Sequence, residues 1–367
     1  MSALAVGGAR ASELTLAASA EPQSLWEFVE ASGLRALVLG TSKVPNAKII
    51  VLLISPDTGR PELAVKVPTT DAATTAVRAE TAMLVELDRV ALDIRTTIPL
   101  VVGDVEFHGR TGVVTTAVHG TPMSTSYARN RHTANEARVS ADFAAVDRWL
   151  VMLQHGTAAH PAPLEMDAGI GARLAQRFAD DDRIDEAVER LGEACGRLRS
   201  SVVPRTAVHG DLWISNILLC DGTVSGVVDW EGGEPRGEPV RDLVRFAIAY
   251  ALFLDRHTKA GRCVRGHPGL RVGTWGAGVE YALDGRGWFP DLVRGFLRTG
   301  LTRLGADQSQ WRDAALAGIA ELAALTDDPA FARPILALFC RLAGRPEPTE
   351  DRAARESGAF ANGRAPV

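Results

Sequence analysis

One short stretch, residues 207–231 (AVHGDLWISNILLCDGTVSGVVDWE), holds three polar residues whose types and spacing could do chemistry. Asp211 follows His209 and Gly210, Asn216 lies five residues further on, and Asp229 heads the triplet Asp229-Trp230-Glu231. Two apolar runs, 217–219 and 224–228, flank Asp221-Gly222. That dipeptide favours a tight hairpin turn, because both of its residues tolerate positive φ. The hairpin carries Asp211 and Asn216 at its mouth and Asp229 at the end of its return strand, so its register gathers all three. A carboxylate able to take a proton, beside an amide and a carboxylate that suit a hard cation, is equipment for moving a phosphoryl group.

The pattern H-G-D-x-x-x-x-N, then a hairpin, then V-D-W-E resembles the aminoglycoside phosphotransferase and choline kinase superfamily. Those small-molecule kinases share the protein-kinase fold, and Gly210 stands where protein kinases carry the arginine of H-R-D. The resemblance implies an α+β, bilobal protein-kinase-like fold, with a small antiparallel-sheet N-lobe and a larger, mainly helical C-lobe. It implies an ATP-dependent phosphotransferase that moves the γ-phosphoryl group to a hydroxyl of a small molecule, such as an aminoglycoside, a sugar or an amino alcohol. By the same resemblance Asp211 takes or orients the hydroxyl's proton, while Asn216 and Asp229 hold Mg2+ against the ATP phosphates. Glu231 either touches a second metal through water or binds the acceptor. His209 is expected to bond neighbouring backbone. GTP remains open as a second donor.

The elements that must position these groups lie upstream. Residues 21–32 read as a short helix, and strands are expected over 34–39, 48–54 and 62–67. The loop 40–47 would cover the nucleotide phosphates, yet it holds one glycine, Gly40, so phosphate contacts fall to Ser42 or to backbone amides. Lys66 sits inside the apolar strand Leu63-Ala64-Val65-Lys66-Val67, and an ammonium there must be directed at a partner because burying it alone is costly. The resemblance supplies those partners as the ATP phosphates and a glutamate on the next helix. That helix is expected over 72–90, where Val77, Leu84, Leu87 and Val90 recur near helical spacing, and Glu80 is chosen over Glu86 as the partner. Strands are expected over 97–102, 105–108 and 112–118. The resemblance then puts adenine against backbone around Thr116 and Val118, with 119–123 crossing into the large lobe.

The large lobe reads as helices over 139–154, 166–198, 240–254, 275–283, 290–303, 310–325 and 331–343. Gly237, Pro239, Asp242 and Leu243 match a G-x-P-x-x-D-L pattern of the superfamily, which implies that Asp242 heads a buried helix and braces the catalytic loop. Only thirteen residues separate Asp229 from Asp242, too few for a long activation segment, and no A-P-E triplet follows; a small-molecule acceptor fits better than a protein. Glu280, Asp284, Asp313, Glu321, Asp327 and Asp328 could serve a basic acceptor, or lie at the surface. The organisation expected is a flexible leader over 1–20, the N-lobe over 21–118, the C-lobe over 119–344 and a disordered tail over 345–367. The resemblance spans 34–343 and is strongest over 207–243.

Composition bounds the function. A formal charge of −5 argues against a nucleic-acid partner, since no basic excess exists to displace counterions. Of 40 basic residues only Lys43, Lys48, Lys66 and Lys259 are lysines, which makes each one conspicuous. The four cysteines form no C-x-x-C pair, no apolar run is long enough to span a membrane, and the N-terminus lacks a basic, then apolar, export signal. A cytoplasmic protein is expected. There is no P-loop motif and no H-E-x-x-H zinc motif. Ser225 lacks the order of a nucleophile elbow. The competing reading is a nucleotide-binding pseudokinase or regulatory scaffold of the same fold.

Overall fold

A computed structural model describes residues 23–41, 46–129 and 131–345. The expected leader over 1–20 lies outside the described residues, as does all of the expected tail but Arg345. Tertiary contacts divide the chain into two compact units, one made of Met1–Ala162 with Pro204–Phe246, the other of Pro163–Val203 with Ala247–Val367.

The first unit opens with helix α1 (Leu25–Ser32), started by a capping box in which the Ser24 hydroxyl accepts from the Glu27 N–H and the Glu27 carboxylate accepts from the Ser24 N–H. Strands β1 (Arg35–Thr41), β2 (Lys48–Ile54) and β3 (Pro61–Pro68) follow, then helix α2 (Asp71–Val90), capped by the Thr70 hydroxyl, then strands β4 (Val101–Phe107) and β5 (Arg110–Thr116). All pairings in this five-stranded sheet are antiparallel, in the order β1-β2-β3-β5-β4. Leu25 and Phe28 of α1 join Val51, Leu53, Leu63, Val65, Val67, Val105 and Val114 in one apolar core. The helix thus covers the face of the sheet where alternate residues are apolar.

One expectation fails in this sheet. Instead of separate strands over 97–102 and 105–108, a 3-10 turn (Leu92–Thr97) precedes a single strand, β4. Thr97 is held inside that turn, donating to the Ile94 carbonyl and accepting from the Trp149 indole N–H. Gly103, which reads as a break, sits at an irregularity in the β4–β5 register, and the true turn is His108-Gly109, both at positive φ.

The unit continues through a short strand β6 (Thr121–Pro122), helices α3 (Met123–Tyr127) and α4 (Glu136–Gly156), and β7 (Pro161–Pro163), where the chain passes to the second unit. Helix α4 buries Val139, Phe143, Val146, Trp149, Leu150 and Leu153, a stripe at helical spacing. In the second unit the helix expected over 166–198 is two, α5 (Ile170–Arg177) and α6 (Ile184–Leu198). The break falls at Asp180-Asp181-Asp182, where the Asp181 carboxylate accepts from the Arg183 N–H and so offers the backbone a turn instead of a helical bond.

After β8 (Val202–Pro204), the first unit resumes with β9 (Thr206–Val208), the hairpin β10 (Ile217–Cys220) and β11 (Thr223–Val227), and β12 (Glu234–Gly237) paired with β9. Asp221 and Gly222 both have positive φ, at 49° and 73°, as the hairpin reading requires. Helix α7 (Val240–Leu252) closes this part of the chain. The second unit adds β13 (Cys263–Val264), β14 (His267–Arg271) and helices α8 (Ala277–Asp284), α9 (Trp288–Leu304), α10 (Trp311–Leu325) and α11 (Pro329–Ala343). The result is a small antiparallel N-terminal sheet followed by a mainly helical remainder. No helix among the described residues is long and apolar enough to cross a membrane.

Candidate active site

The site is built in the first unit, where two strands of the sheet and α2 meet the hairpin. On α2 the buried residues Ala73, Val77, Glu80, Leu84 and Leu87 form one stripe, so Glu80 stands where an apolar side chain would be expected. Its carboxylate is 1% exposed and takes Lys66 Nζ on both oxygens, at 2.7 and 2.9 Å. The same ammonium reaches Asp229 Oδ1 at 2.5 Å. Glu80 also accepts the Trp230 backbone N–H at 3.3 Å, so this one carboxylate fastens α2 to β3 and to the segment that follows β11.

These contacts set the charges. Burial by itself pushes the Lys66 ammonium down, but the carboxylates of Glu80 and Asp229 outweigh it and the net shift is upward. Burial pushes Asp229 up, and Lys66, with help from Lys48, more than reverses this, leaving the carboxyl below its usual range. Asp229 also adopts a left-handed backbone, φ 64° and ψ 63°, a conformation that costs a non-glycine residue about 1–2 kcal/mol. The surrounding contacts sustain it: the Trp230 side chain is fully buried and its indole N–H donates to the Val227 carbonyl at 3.0 Å.

On the other side of the hairpin, the loop that bears Asp211 is held from beneath by Asp242. This buried carboxylate accepts the backbone N–H groups of His209 and Gly210, at 2.7 and 3.0 Å. Burial nevertheless pushes its pKa upward, with His209 and the two N–H bonds working against that rise. His209 is fully buried against the Trp230 ring; its Nε2 donates to the Val228 carbonyl and its Nδ1 accepts the Asp211 N–H. It bonds backbone, as expected from the sequence. Gly210 has φ 79°, and a Cβ there would lie 2.1 Å from the Gly232 carbonyl oxygen. No side chain fits where protein kinases carry arginine.

Asp211 itself is half-exposed, and its Oδ1 takes Arg245 Nε at 3.0 Å and Nη2 at 2.6 Å. Asn216 Nδ2 donates to the Asp211 carbonyl at 3.0 Å and lies 3.4 Å from Oδ2. The Val228 N–H donates to the Asn216 carbonyl, which sets Asn216 beside Asp229 across the hairpin mouth. A divalent cation could be held by the Asn216 amide oxygen and the Asp229 carboxylate. Magnesium keeps several waters and binds substrate phosphates, so one or two protein oxygens suffice. The described residues contain no group of three or more His, Cys, Asp or Glu that could form an all-protein metal cage.

Of the remaining sequence candidates, Gly40 lies in β1 at φ 105° with open space where a side chain would be, and Ser42 falls outside the described residues. At the end of β5 the Thr116 N–H donates to the Leu100 carbonyl and the Ala117 N–H to the Glu62 carbonyl. Both are engaged within the sheet region, whereas Val118 lies just past them against Gly226. Ser225 donates to the His119 carbonyl at 2.6 Å, a backbone contact with no base in it. In the second unit, Glu280 is paired with Arg341 and Arg345, Asp284 with Arg312 and Arg345, and Asp313 with Arg197. Those acids are already matched by arginines.

Two contributors escape the sequence reading. Lys48, 6% exposed at the start of β2, pairs with Glu231. Its signal was available: it is one of four lysines and opens the apolar strand KIIVLLI. Arg245 lies three residues past Asp242 on α7, the spacing that puts two side chains on one face of a helix.

Comparison with known proteins gives this geometry a family. The family model described as "APH: Phosphotransferase enzyme family" matches residues 51–271, more than half of the chain. No curated protein matches it. Among solved structures, a thermostable mutant of aminoglycoside phosphotransferase APH(4)-Ia in ternary complex with AMP-PNP and hygromycin B is 14% identical, with 85% of this chain and 94% of that one covered and a TM-score of 0.52. The apo form of a thermostable mutant of the same enzyme is 15% identical, covering 85% and 96%, with a TM-score of 0.51. A putative fructosamine-3-kinase from Thermobifida fusca is 18% identical, with 92% of this chain and 99% of that one covered and a TM-score of 0.47. At such identities the structures speak for the protein-kinase-like fold, and the family match speaks for the chemistry: the chain belongs to the phosphotransferase enzyme family and is a small-molecule kinase.

Proposed function

We propose that this enzyme transfers the γ-phosphoryl group of ATP to a hydroxyl of a small molecule, with Asp211 as the base and Mg2+ held by Asn216 and Asp229. The observation that carries the reading is the single ammonium of Lys66 bonded to Glu80 on one side and to Asp229 on the other. That arrangement holds an ammonium donor in a fixed place beside the proposed metal ligand, where nucleotide phosphates would lie. Bound Mg2+ would neutralise the charge that gathers on the phosphate oxygens.

The chain's own residues do the rest. Both Arg245 bonds fall on Asp211 Oδ1, which leaves Oδ2 facing the acceptor with one long contact from Asn216. The acceptor hydroxyl gives its proton to that oxygen as its own oxygen bonds to the γ-phosphorus, and the bond to the bridging oxygen breaks to release ADP. Gly40 at the end of β1 by the phosphates, with Thr116 and Val118 near the adenine, completes the nucleotide site in this reading; Ser42, the other phosphate candidate, lies outside the described residues. Because the Thr116 and Ala117 N–H groups are already bonded, Val118 is the better candidate to meet the base through its backbone.

The solved complex of APH(4)-Ia with AMP-PNP and hygromycin B supports a nucleotide donor and a small-molecule acceptor. An aminoglycoside, a sugar or an amino alcohol all remain within the proposal, since the matched acids Glu280, Asp284 and Asp313 do not single out a polycation. The enzyme would work in the cytoplasm, which supplies ATP. The test is ATP consumption with Mg2+ across a panel of aminoglycosides, amino alcohols and sugars, with Asp211→Asn alongside. A hit that the variant loses supports the reading and names the acceptor class; ATP binding with no transfer to any acceptor favours a regulatory scaffold.

A further inference from the structure

Lys48 and Glu231 form an ion pair next to the Lys66–Asp229 pair, and neither is used by the mechanism above. In the register of β2 with β3, Ile50 is opposite Lys66 and Lys48 is opposite Pro68. Lys48 and Ile50 are two residues apart on one strand, so Lys48 and Lys66 project from the same face of the sheet as diagonal neighbours, about 7–8 Å apart at the backbone. Their partners are the two acids of one triplet: Lys66 holds Asp229, and Lys48 holds Glu231. Lys48 is also close enough to Asp229 to help keep that carboxyl ionised.

Charge balance shows why the second lysine matters. Lys66 is neutralised by Glu80, which engages it with both oxygens from a buried position. The Lys66–Glu80 unit therefore offers a triphosphate hydrogen bonds and little net charge, while Asp229 and Glu231 repel it. The sequence over 40–47 holds one glycine, Gly40, and so lacks the G-x-G-x-x-G pattern whose backbone amides cradle phosphates. Lys48 opens β2 on the face of the sheet that it shares with Lys66, and its ammonium is a second positive charge there.

Resting on the kinase reading above, we propose that Lys48 is a second phosphate-binding lysine, and that Glu231 competes with the nucleotide for it. Nucleotide phosphates take the ammonium from Glu231, and the carboxylate so released turns to the cation or to its water shell. Phosphate and cation then favour each other's binding through this exchange, a coupling that must be reciprocal. The exchange also supplies a role for Glu231, whose two readings from the sequence were a second metal contact and an acceptor contact.

The test separates competition from simple fastening by sign. Calorimetric titration of the full-length chain with ADP and with ATP, in EDTA, is compared for wild type, Lys48→Gln, Lys48→Arg and Glu231→Gln. Far-ultraviolet circular dichroism and melting temperature verify the fold of each. Lys48→Gln should weaken metal-free nucleotide binding by about ten- to a hundredfold, the loss of a charged hydrogen bond, and Lys48→Arg should recover part of it. Glu231→Gln should tighten metal-free binding severalfold, because it frees the lysine, and should weaken the gain that Mg2+ brings. If both variants weaken metal-free binding, or if neither changes it, the pair merely fastens β2 to the Asp-Trp-Glu segment and the inference is overturned. Wild-type protein that binds no nucleotide overturns the kinase reading and this inference with it, an outcome distinct from the first.

Discussion

Arg245 lays two donors of its guanidinium, Nε and Nη2, on the same oxygen of Asp211. One turn earlier on the same helix, Asp242 accepts the His209 and Gly210 N–H groups. Helix α7 therefore grips the Asp211 loop twice, once by the loop's backbone and once by the side chain proposed to do the chemistry. The backbone grip sets where the loop runs, and the arginine fork sets which carboxylate oxygen faces outward.

Arg245→Met should lower kcat by about tenfold with little change in the KM for ATP, since it frees Asp211 to rotate without touching the phosphate site. Arg245→Lys should recover only part, because an ammonium lacks the planar fork that makes both bonds at once. Steady-state kinetics on the acceptor found by the panel checks this. A Met variant with wild-type kcat would show that the fork does not position Asp211.

Glu80→Gln keeps the size and breaks the charge match. Lys66 retains Asp229, so the expected loss is about 3 kcal/mol, the lower end for stranding one member of a buried pair. Urea denaturation should show the midpoint fall with an unchanged slope. ATP use should fall as well, as the ammonium loses the support that holds it in place.

Gly210→Ala should be poorly tolerated. The added Cβ meets the Gly232 carbonyl oxygen at 2.1 Å, and the residue sits at φ 79°. The combined clash and strain should cost about 2 kcal/mol or more. Relief requires the loop to move off Asp242, so activity should fall even in the fraction that remains folded. A variant with an unaltered melting temperature would contradict this geometry.

Asp229 ties stability to acid. Its folded-state carboxyl lies below the ordinary value, so the group binds fewer protons when folded than when unfolded. Its contribution is full above the unfolded value, about 3.9, and is lost as pH falls through the depressed folded value. Melting temperatures taken downward from about pH 6 should therefore fall less steeply for Asp229→Asn than for wild type. Parallel curves would show that Lys66 does not hold Asp229 in its charged form.

The hairpin, the strand lysine and its helix glutamate are legible in the sequence, because each has a local signature. Asp221-Gly222 can take positive φ at both positions, Lys66 interrupts an apolar strand, and Glu80 falls on the stripe that α2 buries. The bracing of the loop by Asp242 is legible too, through spacing shared with a family. Strand limits near Gly103 are not legible, since a glycine that breaks a strand and one that sits in a strand irregularity look alike in sequence. The pairings of Lys48 with Glu231 and of Arg245 with Asp211 emerge only in the folded chain. The first pair is 183 residues apart and the second 34. No periodicity links residues so distant, and a charged side chain in sequence does not say which opposite charge it will meet. Their pairing follows from strand register and helix placement, which exist only once the core has packed.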